Sequence, residues 1–480
     1  MVTRNYIVAL ELGSSKVAGV VAVESYDGIN VISYASEPVN GFIAKGVVRN
    51  IDETGKCLTS IINKLETRLE GVTISKAYVA LGGLSIKSVK STIVRNFNEY
   101  TKITQEIIDE MALENDRTFA APEGYQKVDV VTQEYKMGGD TSTNPIGMSV
   151  RSIESNYINI IVKEQYMKLL QESFSLAKIE IIDSFTAAGI NADMLLNENE
   201  KRDGCALVDI GAETTTVTIY TNNLMRKLCV LPLGGANITR DFQAEHISQA
   251  DAETLKIHAG YKTNNLSESS INAELRDNII GARMMEILQN VNRQIKNSGE
   301  SINSVVVTGG GAKLKNIETL LADNLPGLRV RIATDTFVEF NAGSNIQLKR
   351  GEPSVTLLGL LKKGKENCTQ GPKPKEQLVM KDMFIEEEEP VEEKKPQVEE
   401  QPAEAVVEEE KKVEEQPKKD KKEKDKPTKK PKQTDNGPSI WDSLLKPFDS
   451  LSEKMKKATK EFIDNTTQED DDSDDEHNEL

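Results

Sequence analysis

Two segments 198 positions apart repeat one strand–turn–strand pattern, and this repetition constrains the chain more than any other feature of it. In the first, the apolar run Tyr6 to Leu10 ends in a carboxylate and enters the polar turn Glu11-Leu-Gly-Ser-Ser-Lys16. Val17 to Val23 then returns, and Val31 to Tyr34 adds a third strand after Asp27-Gly28. In the second, Cys205 to Asp209 enters Ile210-Gly-Ala-Glu-Thr214, returns along Thr215 to Tyr220, and adds Arg226 to Leu231. Apolar runs broken by Gly and polar residues predict hairpins, and the recurrence of the whole frame predicts a duplicated α/β core.

The intervening text fits two lobes. The spacing of Leu58, Ile61, Ile62 and Leu65 predicts a helix over about 52–69, and Lys76 to Leu81 predicts a strand closed by Gly82-Gly83. From Leu84 the character changes: short strands surround one helix, Thr104 to Phe119, and a Gly/Thr/Asn-rich loop runs from Gly138 to Gly147. The expected organisation is lobe one at 1–83 and 164–200, with a small α+β insert at 84–163. Lobe two spans 201–235 and 303–353 around a helical part at 236–302, and a helix at 354–365 returns to lobe one.

Charge sets the end of the globular body. From Glu366 onward 21 Lys/Arg face 34 Asp/Glu, while the first 365 residues carry a net charge of only −4. Such text cannot bury enough apolar surface to offset the entropy of ordering. A disordered linker is expected at 366–437, followed by an amphipathic segment at 438–466 and an acidic end at 467–480. No apolar run approaches the length of about 20 residues that spans a bilayer, and Glu11 comes too early for a signal peptide. Four scattered cysteines suit a reduced compartment rather than a disulfide framework. The acidic balance argues against nucleic acid as a partner.

Successive backbone N–H groups in an acid-x-Gly turn converge and cradle phosphate oxygens. Gly13, Ser14, Ser15 and Lys16 would do so in the first lobe, and Gly211, Ala212, Glu213 and Thr214 in the second. Glu11 and Asp209, at the strand ends, would hold Mg²⁺ through water, because that ion sheds its hydration reluctantly. Either turn alone reads as an ordinary polar hairpin; two at equivalent places in a duplicated frame are far more specific. A third element, Val305-Val-Val-Thr-Gly-Gly-Gly-Ala-Lys-Leu-Lys-Asn316, brings Gly309, Gly310 and Gly311 to the end of a strand, where backbone approaches a ring or ribose closely.

Together these segments resemble the actin/hexokinase/heat-shock-chaperone ATPase superfamily, and within it the FtsA family of bacterial cell-division proteins. Val8 to Val17 resembles the first phosphate motif and Leu207 to Thr215 the second. Ala252-Glu-Thr-Leu-Lys256 resembles the segment whose acid and lysine, here Glu253 and Lys256, reach the adenosine, and Val307 to Gly311 resembles the adenosine loop. Pro353 to Leu360 is similar to the closing helix, and the insert sits where that family carries an extra subdomain. The resemblance, over about residues 5–363, implies a duplicated actin/ribonuclease-H-like two-lobed fold that binds ATP and Mg²⁺. It further implies filament-forming self-association, contact with other division proteins and with the C-terminal tail of FtsZ, and a peripheral place on the inner membrane face at the septum. Arg283 matches a family arginine in the subdomain that takes that tail; an ordinary surface arginine is an equal reading. The second motif departs from DxGxGT: Glu213 replaces a glycine, and a carboxylate there repels a triphosphate unless it points away or contacts Mg²⁺. The expected enzyme is at most a weak ATPase, with no catalytic base identified. Glu213 reads as a solvent-facing loop carboxylate before it reads as a water-orienting one.

Ile440, Trp441, Leu444, Leu445, Phe448, Leu451, Met455, Ala458, Phe462 and Ile463 recur at three- and four-residue steps, which predicts one apolar stripe on a helix. On so long a tether, such a helix serves a lipid or protein interface, and in the FtsA family it binds the membrane. Competing readings are a pilus-assembly scaffold with the same insert and, less favoured, a small-molecule kinase of the superfamily.

Overall fold

The computed structural model describes residues 5–25, 28–69, 71–262, 272–333, 340–342 and 352–371. The expected linker beyond 371, the amphipathic segment and the acidic end lie outside the described residues.

Lobe one starts as an antiparallel meander of β1 (Tyr6–Leu12), β2 (Lys16–Ser25) and β3 (Gly28–Pro38), with Val8, Leu10, Val20 and Val21 fully buried. A two-residue hairpin, β4 (Ile43–Ala44) and β5 (Val47–Val48), precedes α1 (Ile51–Glu66). The Asn50 side chain accepts from the Glu53 N–H, and Asp52 and Glu53 face the positive end of the helix dipole. The predicted apolar stripe of α1 is its buried face. β6 (Thr73–Ile74) follows, then β7 (Lys76–Leu81), which runs parallel to β1.

The insert comprises β8 (Lys87–Lys102), α2 (Gln105–Thr118), β9 (Tyr125–Met137), β10 (Asp140–Ser142) and β11 (Ser149–Lys163). Its sheet, in the order β10-β9-β11-β8, has a small core of its own that includes Ile103, Met111, Ile153 and Tyr157. The Gly138–Gly147 segment is less loop-like than its composition implied, because β10 pairs back onto β9. Then α3 (Glu164–Leu176), β12 (Glu180–Thr186) and α4 (Ala187–Leu195) complete lobe one.

After α5 (Glu198–Asp203), Gly204 at φ 98° leads into lobe two. This lobe contains β13 (Cys205–Ile210), β14 (Thr215–Thr221), β15 (Leu224–Leu231), α6 (Gly235–Ala244) and α7 (Gln249–Thr254), which continues as a π-turn over Leu255–Ala259. It is completed by α8 (Ala273–Lys296), β16 (Ser304–Thr308), α9 (Ile317–Asn324) and β17 (Arg329–Ile332).

The duplication is visible in the strand register. Lobe one runs β12-β7-β1-β2-β3 and lobe two β17-β16-β13-β14-β15, the same order with the same directions. Leu10 lies opposite Gly19 and Glu11 opposite Ala18; 198 residues on, Val208 lies opposite Val217 and Asp209 opposite Thr216. The chain then returns: β18 (Phe340–Ala342) adds to the edge of β3, and α10 (Val355–Lys363) packs on α4 and β1.

The globular body does not stop at residue 365. Cys368 donates its N–H to Tyr6 O and accepts from the Ser75 and Lys76 amides, its Sγ accepts from the Val8 N–H at 3.3 Å, and β19 (Thr369–Gln370) pairs with β6. The charge-based boundary at 366 therefore moves to the end of this strap. An edge strand offering unpaired amides outweighs the local polarity of Glu366 and Asn367.

Candidate nucleotide and cation site

The two acid-x-Gly turns have one geometry. Gly13 donates to Lys16 O at 3.0 Å and Gly211 to Thr214 O at 2.8 Å, and at each glycine an added Cβ would lie 3.0 Å from the same carbonyl. Both turns follow the first strand of their lobe, so the duplicated frame brings the two turns and their acids near one another.

Glu11 and Asp209 lie close enough for the charge of one to act on the other. Both are half-buried, and desolvation raises both carboxyls; Asp209 is pushed up to about 6, by desolvation first and then by the Glu11 charge. The partner of Glu11 lies 343 residues away in sequence, and that of Asp209 only 18. Ser354 Oγ donates to Glu11 Oε2 while also capping α10 through the Leu357 N–H. Asn191 Nδ2 donates to Asp209 Oδ2 at 3.0 Å, and Thr356 Oγ1 donates to Asn191 Oδ1 at 3.0 Å. Asn191 carries no local motif, and Ser354 and Thr356 lie in the Pro353–Leu360 segment but were not read there as site residues. Two half-buried acids that repel one another suit a cation of hydrated type, and no cluster of three or more metal-ligand side chains occurs among the described residues.

The glycine loop divides its labour. Gly309, at φ 89°, passes so close to Asp209 Oδ1 that any side chain would collide with it, and Gly311 lies equally close on Ile210. Gly310 has open space where a Cβ would stand. Missed by the sequence reading, though the doublet was legible, are Gly234 and Gly235 at the start of α6. Gly235 donates to Gly211 O at 2.9 Å and Ala236 to Ala212 O at 2.6 Å, so α6 begins directly on the second phosphate-type turn. Beside it, Lys256 Nζ donates to Glu253 Oε2 at 2.6 Å and to Thr239 Oγ1 at 3.0 Å, a hydrogen-bonded cluster of the two expected adenosine residues.

Other expected residues are otherwise engaged. Lys16 Nζ pairs with Glu352 Oε1 at 2.9 Å and reaches Tyr34 OH at 3.3 Å. Ser14 Oγ accepts from the Gly46 N–H at 2.8 Å. Glu213 is not a free loop carboxylate: Oε2 accepts from the Lys45 N–H at 2.7 Å, and Arg240 Nη2 lies 3.3 Å from Oε1. Arg283 is no exposed surface arginine either. It is 7% exposed, forked onto both oxygens of Asp241 at 2.8 Å and bonded to Glu286, and braces α8 against α6. Its position on α8 was legible, but its burial was set by an acid 42 residues away. Ser15 and Thr214 lie in their respective turns, and Cys205 is a buried free thiol. The stripe Ile440, Trp441, Leu444, Leu445, Phe448, Leu451, Met455, Phe462, Ile463 lies outside the described residues.

Comparison with known proteins agrees with this architecture. A family model described as "Cell division protein FtsA" matches residues 206–348, and one for the "SHS2 domain inserted in FTSA" matches 83–161, the insert. The "Cell division protein FtsA" of Porphyromonas gingivalis is 30% identical over 391 residues, covering 75% of this chain and 78% of that protein. That of Bacillus subtilis is 28% identical over 69% of this chain and 79% of its own length. Among solved structures, a chain of the "PilM-PilN type IV pilus biogenesis complex" superposes with a TM-score of 0.51 at 18% identity, covering 74% of this chain and 98% of that one, which is a likeness of fold. With its duplicated actin-like lobes, its insert and this shared sequence, the chain belongs to the FtsA family of cell-division proteins.

Proposed function

We propose that this FtsA-family chain binds Mg-ATP between its lobes, assembles into filaments on the inner face of the cytoplasmic membrane, and links FtsZ to that membrane at the septum. The observation that carries the reading is the pair of congruent turns with a half-buried acid at the head of each. The amides of Gly13 to Lys16 and of Gly211 to Thr214 would hold phosphate oxygens. Glu11 and Asp209 would hold hydrated Mg²⁺, and Gly309 to Gly311 with Glu253 and Lys256 would take the adenosine. A bound Mg²⁺ would supply positive charge between two acids that otherwise repel one another. The nucleotide serves assembly and conformation more than turnover.

Membrane attachment belongs to the stripe from Ile440 to Ile463, whose near-neutral charge makes apolar burial the driving term. The tail of FtsZ and other division proteins are its proposed partners. With its Nε, Nη1 and Nη2 donors engaged by Asp241 and Glu286, Arg283 supports the FtsZ reading as a brace of that subdomain rather than as a contact. Electron microscopy of the protein on a lipid monolayer, with and without Mg-ATP, tests the proposal. Nucleotide-dependent filaments or arrays on the lipid are expected; bare lipid under both conditions refutes the anchor.

A further inference from the structure

The turn between β4 and β5 is held on three sides. Lys45 and Gly46 both have positive φ, 52° and 71°, the conformation of a tight two-residue hairpin that leaves both amides facing outward. Neither amide is left to solvent. The Lys45 N–H goes to Glu213 Oε2 of the second phosphate-type turn at 2.7 Å, and the Gly46 N–H goes to Ser14 Oγ of the first at 2.8 Å. On its other side, Lys45 O accepts from the N–H of Leu84, the first residue of the insert, at 3.0 Å. The turn has no slack in that direction: a Cβ on Gly46 would lie 2.6 Å from Gly83 Cα, and one on Gly83 would lie 2.7 Å from Lys45 O.

We infer that Glu213 is a positioning residue that clasps lobe two to the Lys45–Gly46 turn and so couples the nucleotide cleft to the placement of the insert. The coupling rests on the proposed nucleotide reading. A phosphate group that accepts from the Ser14 O–H fixes the orientation of a hydroxyl whose oxygen also accepts from the Gly46 amide, and a like charge beside turn two presses the Glu213 carboxylate toward Lys45 and Arg240. Either change moves a turn whose carbonyl holds the start of the insert. The insert also touches lobe two at a second point, where Gln133 Nε2 donates to Met225 O at 3.0 Å and Ser88 Oγ accepts from the Leu228 N–H at 2.9 Å. Both partners lie on β15, the strand that leads to Gly234-Gly235 and hence to turn two. Close packing of this kind moves in discrete steps rather than by smooth deformation. A glycine at position 213 would close the same turn without the clasp, which gives the departure from DxGxGT a physical purpose.

Hydrogen exchange by mass spectrometry on the full chain tests this, using wild type, Glu213→Gln and Glu213→Ala, each free and saturated with Mg-ATP at its own measured Kd. Peptides spanning 43–48 and 83–88 are the readouts. In the free protein, Glu213→Ala should speed exchange at 43–48 by about tenfold, the scale of losing one charge-assisted hydrogen bond. Glu213→Gln, which keeps an acceptor, should fall between. Mg-ATP should change exchange at 83–88 in wild type, and that change should fall by more than half in Glu213→Ala. Equal exchange at 43–48 in wild type and Glu213→Ala overturns the clasp. Faster exchange there with an intact nucleotide response at 83–88 reduces Glu213 to a local brace and overturns the coupling, as does a wild type that binds Mg-ATP with no response at 83–88. A wild type that fails to bind Mg-ATP refutes the nucleotide reading and the coupling with it, while the free-protein comparison at 43–48 still decides the clasp.

Discussion

Replacing Glu134 by Gln should undock the insert from lobe two by a calculable amount. Arg226, on β15, forks onto the Glu134 carboxylate from β9, and the two side chains are only 14% and 20% exposed. That guanidinium holds the Glu134 carboxyl down at about 2, against an ordinary 4.5. At about 1.4 kcal/mol per pKa unit, the shift is worth about 3 kcal/mol. Arg226 keeps Thr221 Oγ1 and Gln133 Oε1, both at 2.9 Å, so it is not stranded, and about 2 kcal/mol is expected for the substitution. The carboxyl is depressed in the folded state, so its contribution is complete above pH 4.5 and is lost as pH falls from there through about 2. The assay is urea unfolding of wild type, Glu134→Gln, Arg226→Gln and the double variant at pH 7, with the two singly matched proteins repeated along the acid limb. A coupling energy of 1.5 kcal/mol or more is expected, at about the level measured for close ion pairs, together with convergence of wild type and Glu134→Gln as pH falls. A coupling below about 0.5 kcal/mol, the range of an exposed pair, would refute the claim that this contact docks the insert.

Four further outcomes follow from the same geometry. Asp209 is raised to about 6 from 3.8, so its folded-state cost is absent below pH 3.8 and accrues as pH rises through 6; Asp209→Asn should stabilise the protein by about 1–3 kcal/mol at pH 7 in thermal unfolding while weakening Mg-ATP binding at least tenfold. In wild type, Mg-ATP affinity measured by calorimetry should fall as pH drops below 6, because a protonated Asp209 no longer attracts the cation. Gly359→Ala, which raises helix propensity, should nonetheless destabilise the protein by about 1–3 kcal/mol in urea, because its methyl group would drive into Ile190 and Met194 of α4. Truncation after Gly364 removes the Cys368 strap and the amide partners it provides to β1 and β7, and should cost about 2–4 kcal/mol by the same assay, from several hydrogen bonds of about 1 kcal/mol each; unchanged stability would mean that residues 365–371 merely lie on the lobe.

Local pattern determined much of this protein. The alternation of apolar runs with acid-x-Gly turns placed β1, β2, β13 and β14, and the 198-residue offset that makes them a duplicated core holds residue for residue in their register. Helical spacing placed the buried face of α1, and the change of character at Leu84 located the insert. These are properties of contiguous sequence, written in period and turn chemistry. What hydrogen-bonds to those motifs is not contiguous. Ser354 meets Glu11 from 343 residues away, and Thr356 holds Asn191, the partner of Asp209, from 165 residues away. Cys368 completes β1 from 360 residues away, overruling a boundary drawn from charge alone. Glu213, an unsatisfied anion in one dimension, finds its amide on the other lobe, and Arg283, a surface cation in one dimension, is buried by acids on two helices. Period and turn chemistry are short-range and survive in a linear text; the partner of a buried charge is chosen by packing, so only the tertiary structure decides it.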